Sequence, residues 1–465
     1  MKLQDIQSGR FEGLREVVRM AGPMVLGAMS FAVMRFVDQL MVAQLGDEAL
    51  AASGPAMMWS FLLAMGVVGI VGCVSTFVSQ SFGRGEKTDC ARYAWQGAYF
   101  SVVTGLLALA LWPIGGVMFD WLGHEPEVAR LESVYLRIRL LGYGFIACQS
   151  ALTAFFQGIG RPKIPMYAGV FANALNVLLD YVLIFGKFGF PRWGIGGAAA
   201  GTVIALAVQF GILQAFFLSR RYDTEFHTRS TWTFDATRIG ELLRIGTPSG
   251  LKGFIDMLSW TLFVSAVIAN LGTTSLASHN AASNLMRFSF VPCFGLSFAA
   301  TAIVGQWIGR GDIATAKARA YTATGLAVAY MFTMGVIVVL LGRPLIRLFS
   351  ANPEIIRLGR ILLVFAAVRQ GFDAINIVLS GALRGAGDTL WMVLVFLPMG
   401  YLVFLPLATL LAYGLGLGVV GAWLAATVYV IAMCAILTRR FHGERWRHIR
   451  IFARDRESDG VGGVE

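Results

Sequence analysis

The 465-residue chain is 57% hydrophobic and 14% charged, with a mean hydropathy of +0.67, whereas a soluble domain carries about 25% charged residues. That balance excludes a soluble globular domain, and repeated apolar runs favour spanning helices of about 20 residues over the alternating strands, about 10 residues long, of a β-barrel. The net charge of +11 would suit a nucleic-acid binder, but the basic residues fall in alternate loops and the C-terminal stretch, as the positive-inside rule distributes them, so no nucleic-acid partner is expected.

The first sixteen residues, MKLQDIQSGRFEGLRE, are polar and carry no apolar core with a small-residue cleavage site, so no signal peptide is expected. Twelve helices are then expected at about 17–40, 52–80, 94–118, 133–157, 164–186, 194–219, 245–270, 282–308, 319–341, 358–382, 389–413 and 416–438. One set of connections is basic: Arg84, Lys87 and Arg92, then Arg161 and Lys163, then Arg220, Arg221, Arg229, Arg238 and Arg244, then Arg310, Lys317 and Arg319. The alternate connections at 44–50, 122–127 and 271–278 hold no Lys or Arg. Both termini are therefore expected in the cytoplasm. The division expected is a cytoplasmic segment 1–16, a six-helix bundle 17–219, a cytoplasmic linker 220–244, a second six-helix bundle 245–438, and a basic cytoplasmic tail 439–465. The end of that tail, ARDRESDGVGGVE, is charged and Gly-rich and is expected to be disordered. The five cysteines are scattered without metal or redox spacing.

The halves repeat. Pro23 corresponds to Pro248 at an offset of 225, Leu45-Gly46 to Leu271-Gly272 at 226, and Gly83-Arg84-Gly85 to Gly309-Arg310-Gly311 at 226. Gly158-Ile159-Gly160 matches Gly385-Ala386-Gly387 at 227, while Gly196 and Thr202 match Gly421 and Thr427 at 225. Six helices per half give both halves the same membrane orientation, the parallel repeat of transporters with central sites. Pro23 and Pro248 read as kinks in helices 1 and 7.

Polar residues inside the spans carry the functional reading. FANALNVLLDYVLIFG (171–186) places Asn173, Asn176 and Asp180 on one helical face. A carboxylate at mid-membrane costs at least about 2.5–3.5 kcal/mol unless compensated, which makes Asp180 a functional candidate. Asp38, Asp256 and Asp373 each follow a basic residue by one turn, Arg35, Lys252 and Arg369, so intrahelical pairing is the bland alternative for each. A cation competing for such an acid would also release its base. Hard oxygen donors suit Na⁺ or a proton, and Asp38, Asn176, Asp180 and Thr202 supply them if helices 1, 5 and 6 meet. The small-residue run GIGGAAAGT (194–202) permits that approach. Asn280, Asn284, Arg287, Gln306 and Gln370 are candidates to line a polar substrate cavity, with interhelical hydrogen bonding the alternative for each, and His279 reads as a satisfied polar residue rather than a ligand.

Taken together, MAGPMVLGAMSFAVMRFVDQLMVAQLG, NALNVLLDYVLIFG, GAAAGT, SHNAASN and the paired QGIGRP and RGAGDT resemble the multidrug and toxic compound extrusion (MATE) family, in its NorM-like bacterial branch, over about residues 12–440. The resemblance implies an all-α polytopic protein of twelve transmembrane helices in two pseudo-symmetric six-helix bundles. It implies a monomer in the bacterial inner membrane that exports organic cations and other drugs by antiport against Na⁺ or protons, without a cofactor. The family's cation site falls on Asp38, Asn176, Asp180 and Thr202, and a second carboxylate pair on Asp256 and Asp373. Relatives usually carry Glu at the position of Asp256. Pro23 matches a helix-1 proline linked to bending. Two other readings fit part of the pattern, a lipid-linked saccharide flippase of the same superfamily and a membrane-embedded aspartate enzyme. The acids argue against the first, and the repeat without a dominant catalytic motif argues against the second.

Overall fold

The computed structural model describes residues 3–116, 118–121 and 124–455, and among them there are helices and no strands. Among the described residues twelve helical segments are long enough to cross a bilayer, eleven of them also apolar enough when the bent pair of α4 is taken as one. They are α1 Leu3–Ala43, α2 Asp47–Gly72 continued after Cys73 by Val74–Gly83, α3 Lys87–Ala110, and α4, formed by Pro126–Leu141 and Tyr143–Gly158 with a 46° bend between them. There follow α5 Lys163–Phe185, α6 Ile195–Phe217, α7 Ala236–Leu262 running on through turns to Leu271, α8 Thr273–Gly309, α9 Ile313–Leu340 and α10 Pro353–Ala386. The last two are α11, Thr389–Gly414, and α12, Gly418–His442. A bare backbone donor or acceptor in hydrocarbon costs several kcal/mol, so continuous helices are the economical answer to this composition.

Local chemistry sets the ends. The Asp312 side chain accepts from the Thr315 N–H at 2.9 Å and starts α9, and Asn352 does the same for Glu354 with Pro353 in the first turn of α10. Gly186 stops α5 in the left-handed region (φ 66°), where a Cβ would lie 2.9 Å from the Arg192 nitrogen.

The helices form two compact units whose limits fall inside α1 and α7, not in the 220–244 linker. One unit holds residues 1–25 and 251–450, the other 26–250 and 451–465. Pro23 and Pro248 stand two or three residues before the points at which α1 and α7 change unit. The helix therefore loses a backbone hydrogen bond at the place where its packing partners change.

In the unit of residues 1–25 and 251–450, Val17, Met20, Ala21 and Met24 pack with Leu296, Ile303 and Val378. Glu16 accepts from Trp307 Nε1 (3.0 Å) and Arg319 Nε (2.7 Å). In the unit of residues 26–250 and 451–465, the repeat puts Glu241 at the position of Glu16 and Tyr93 at that of Arg319. Buried Glu241 accepts from the Tyr93 hydroxyl and from the Ala453 N–H. The same short contact thus recurs with different chemistry.

The linker is structured. Tyr222 and Phe226 are buried, Phe226 against Phe155, and Gln96 bonds both Thr233 O and Asp235 N at 2.9 and 3.0 Å. The tail departs from its expected disorder over Ala453–Asp455. Ile451 and Phe452 are buried, Phe452 edge-on to Phe77 at 5.8 Å with Arg84 at 4.4 Å from its ring. Asp455 pairs with Arg84 (3.0 Å), and Arg454 with Asp89 (3.2 Å). The apolar pair Ile451-Phe452 supplies the burial that the charged composition around it lacks. Residues 456–465 lie outside the described residues.

Candidate functional site

In the unit of residues 26–250 and 451–465, the α5 face carrying Asn173, Asn176 and Asp180 turns to α1 and α6. Asn173 donates to Ser30 Oγ on α1 at 3.0 Å. Asn176 and Asp180 are fully buried, and Asp38 is buried beside them. The carboxyl groups of Asp38 and Asp180 lie within hydrogen-bonding reach of each other. In one orientation the Asn176 amide donates to Asp180 Oδ1 at 3.3 Å. In the opposite orientation, which satisfies more neighbours, it donates to Asp38 Oδ1 and accepts from the Thr202 backbone N–H, both at 3.1 Å. Asp180 Oδ2 is buried and has no hydrogen-bond partner among the described residues.

The structure thus brings Asp38, Asn176, Asp180 and Thr202 together, with one change of role. Thr202 reaches the cluster through its backbone N–H, while its hydroxyl donates to Ala198 O at 2.9 Å. Two bare carboxylates in contact repel strongly in low dielectric, so the arrangement calls for a proton or a metal cation between them.

Further residues on α1, α4 and α6 shape the cluster. A Cβ on Gly201 would lie 2.2 Å from Asp180 Oδ1, and one on Gly197 2.6 Å from the Leu183 carbonyl carbon. The glycines let α6 lie flush against α5. Arg139 of α4 acts electrostatically on both acids and donates to Ser60 Oγ at 3.2 Å, and buried Tyr135 stands one turn away. Arg139 was detectable in the sequence as a cation within an apolar span with no acid one turn away. Arg35 also bears electrostatically on Asp38 and donates to Met57 Sδ at 2.8 Å.

The second acidic cluster belongs to the other unit. Both intrahelical pairs are present, Lys252 Nζ to Asp256 at 3.9 Å and Arg369 Nε to Asp373 at 2.9 Å. The Arg369 contact is close but poorly aligned, and Arg369 Nε and Asp373 Oδ2 both lack a hydrogen bond of good geometry. The Arg369 guanidinium lies 5.0 Å from the Trp260 ring and 5.6 Å from that of Trp423, and Lys252 lies 4.1 Å from Phe396. The acids are thus matched by two resident cations set against aromatic faces.

His279 is satisfied, accepting from Trp423 Nε1 at 3.2 Å and meeting Ser283 Oγ at 3.3 Å. Gln370 is buried and donates to Met286 Sδ at 3.2 Å, leaving its Oε1 without a partner among the described residues. Gln306 is buried on α8, whereas Asn280 and Asn284 are exposed on the same helix. A π-helical turn at Phe263–Ile268 interrupts α7 seven residues after Asp256, a local strain often found beside functional sites.

The MatE family profile matches residues 23–182 and 251–410, one segment in each half. A protein named probable multidrug resistance protein NorM from Bradyrhizobium diazoefficiens is 30% identical over 438 residues, covering 92% of each chain. Its namesake from Thermotoga maritima is 29% identical over 386 residues, 82% of this chain and 81% of that protein. The fold matches the outward-facing structure of a multidrug resistance MATE family transporter with a TM-score of 0.84 at 20% identity, over 93% of this chain and 96% of that one. A MOP superfamily transporter from Pyrococcus furiosus gives the same TM-score and identity over 92% and 95%. With both halves of the repeat matched by one profile and nearly the whole length shared with a relative at 30% identity, the chain belongs to the MatE family of membrane transporters.

Proposed function

We propose that the chain exports organic cations and other drugs from a bacterial cell by antiport against Na⁺ or protons, with Asp38, Asn176, Asp180 and Thr202 as the coupling-ion site. The observation that carries this reading is the contact between Asp38 and Asp180, with Asp180 Oδ2 left without a partner. A monovalent cation between the carboxyls relieves their repulsion and gives that oxygen a ligand. Arg139 offsets part of the remaining charge. Cation entry then favours one arrangement of the protein over another only through its differential affinity for the two, and drug release follows that shift. One net charge moving down about 100 mV contributes about 2.3 kcal/mol, which drives export of a neutral drug, whereas for a monocation exchanged one for one the potential cancels and the coupling ion's concentration gradient supplies the drive. No enzymatic step is required.

The test uses the purified protein in liposomes with a fluorescent planar cation, under a Na⁺ gradient and a pH gradient imposed separately. Transport answering one gradient identifies the coupling ion. Transport answering neither overturns the antiport reading and leaves the saccharide flippase as the better account.

In the second cluster, the Asp373 carboxylate and the Trp260 and Trp423 rings offer what a planar organic cation needs, and Arg369 occupies that place. Substrate and guanidinium therefore compete. Arg369→Gln is expected to tighten binding of the planar cation about tenfold, the worth of one desolvated cation–aromatic contact. Fluorescence titration in detergent measures this, and unchanged or weaker binding by the folded variant removes the cluster from the substrate path.

A further inference from the structure

The α9–α10 hairpin ends, at the side away from Asp312, in a cavity of about 900 Å³. Arg343, Arg347, Arg357 and Arg360 surround it, and Val339 and Val364 form part of its wall. All four arginines are exposed, and among the described residues no hydrogen bond, ion pair or ring contact engages any of their guanidinium groups. Between residues 341 and 361 the only acid is Glu354, itself exposed. Four cations converging on one cavity repel one another, and no carboxylate around them answers the charge.

The position of these residues sharpens the question. Counting spans from the basic linker places this hairpin end on the side where the positive-inside rule calls for few arginines. An arginine cluster there has a reason beyond topology. Leu340 (76% exposed) and Leu348 (79% exposed) adjoin the lining residues Val339 and Arg347 in the chain; in a membrane protein such side chains meet acyl chains. A guanidinium-lined hollow bounded by apolar wall and lipid-facing leucines is shaped for an amphiphile with an anionic head.

We propose that this cavity is a binding site for the headgroup of an anionic phospholipid. The arginines grip the phosphodiester, and the acyl chains run along Val339, Val364 and the exposed leucines. A soluble phosphate would use the same guanidinium groups but would gain nothing from the apolar wall, which is why the lipid is the occupant argued for. The inference is independent of the drug and of the coupling ion, since no residue of either acidic cluster takes part.

Native mass spectrometry of the full-length protein in detergent, titrated with phosphatidylglycerol and with phosphatidylcholine, tests it. Surface basic residues each strengthen anionic-lipid binding about fivefold, so four predict a preference of about a hundredfold or more for phosphatidylglycerol. In R343Q/R347Q/R357Q/R360Q the two lipids should bind within about twofold of each other. Should that variant not fold, R357Q/R360Q alone is expected to remove about half of the preference on a logarithmic scale. Equal retention of the two lipids by the wild type, or an undiminished preference in a folded variant, overturns the proposal. Inorganic phosphate displacing phosphatidylglycerol at comparable concentration would also overturn it, in favour of a soluble anion.

Discussion

Asp180→Asn is expected to abolish gradient-driven export while leaving the protein inserted and folded. The carboxamide keeps the size of the carboxyl and can still hydrogen-bond Asn176 and Asp38, so the packing of α5 against α1 and α6 survives. What disappears is the negative charge beside Asp38 and the unpartnered Oδ2. Removing one charged partner from a buried cluster costs about 3–5 kcal/mol, which corresponds to a cation affinity lower by more than about a hundredfold. In the liposome assay the variant should transport at the rate of protein-free vesicles, under whichever gradient drives the wild type. Its thermal transition in detergent should stay within a few degrees of the wild-type value. Undiminished export would sink the site assignment.

Gly201→Val is the second large effect, and it acts on the same site from the other side. Even a Cβ at this position would sit 2.2 Å from Asp180 Oδ1, far inside any tolerable contact, and the branched side chain adds two methyls. Either α6 moves away from α5 or Asp180 turns out of the cluster. Overpacking of this kind costs about 1–3 kcal/mol, and it separates Asn176 from the Thr202 N–H. Coupled export is expected to fall as far as in Asp180→Asn, now with lower thermal stability. Gly211→Val, on the same helix with open space at its Cβ, serves as control and should leave both properties unchanged. Equal behaviour of the two variants would show that the close approach of α6 is irrelevant to coupling.

Some of this organisation was legible in the residues alone. Asp180 declared itself because a carboxylate in an apolar run needs compensation, and Asn173 and Asn176 declared the face on which it would be found. The repeat gave six helices per half and paired Pro23 with Pro248. The compact units could not be read the same way. Where α1 leaves one unit depends on which side chains Val17, Met20 and Met24 meet across long sequence separations, and no periodicity encodes that. Gly201 was visible only as part of a small-residue run. Which glycine faces the carboxylate is a matter of helix rotation, set by packing. The role of Thr202 shifted for a similar reason, because a hydroxyl in a helix competes for its own backbone carbonyl at i−4. In the tail the charged composition outweighed two apolar residues, Ile451 and Phe452, that a shorter window would have singled out.

The exchange of helix segments bears on how the protein is made. The unit built around α2 to α6 lacks the first part of α7 until the linker has been translated, and it lacks Phe452, Ala453 and Asp455 until every helix of the other unit has been translated. A nascent chain released early therefore leaves Phe77 and Tyr93 without a cover and Glu241 without one of its donors. The segment Phe452–Asp455 thus closes a bundle whose own helices are laid down far earlier in the chain.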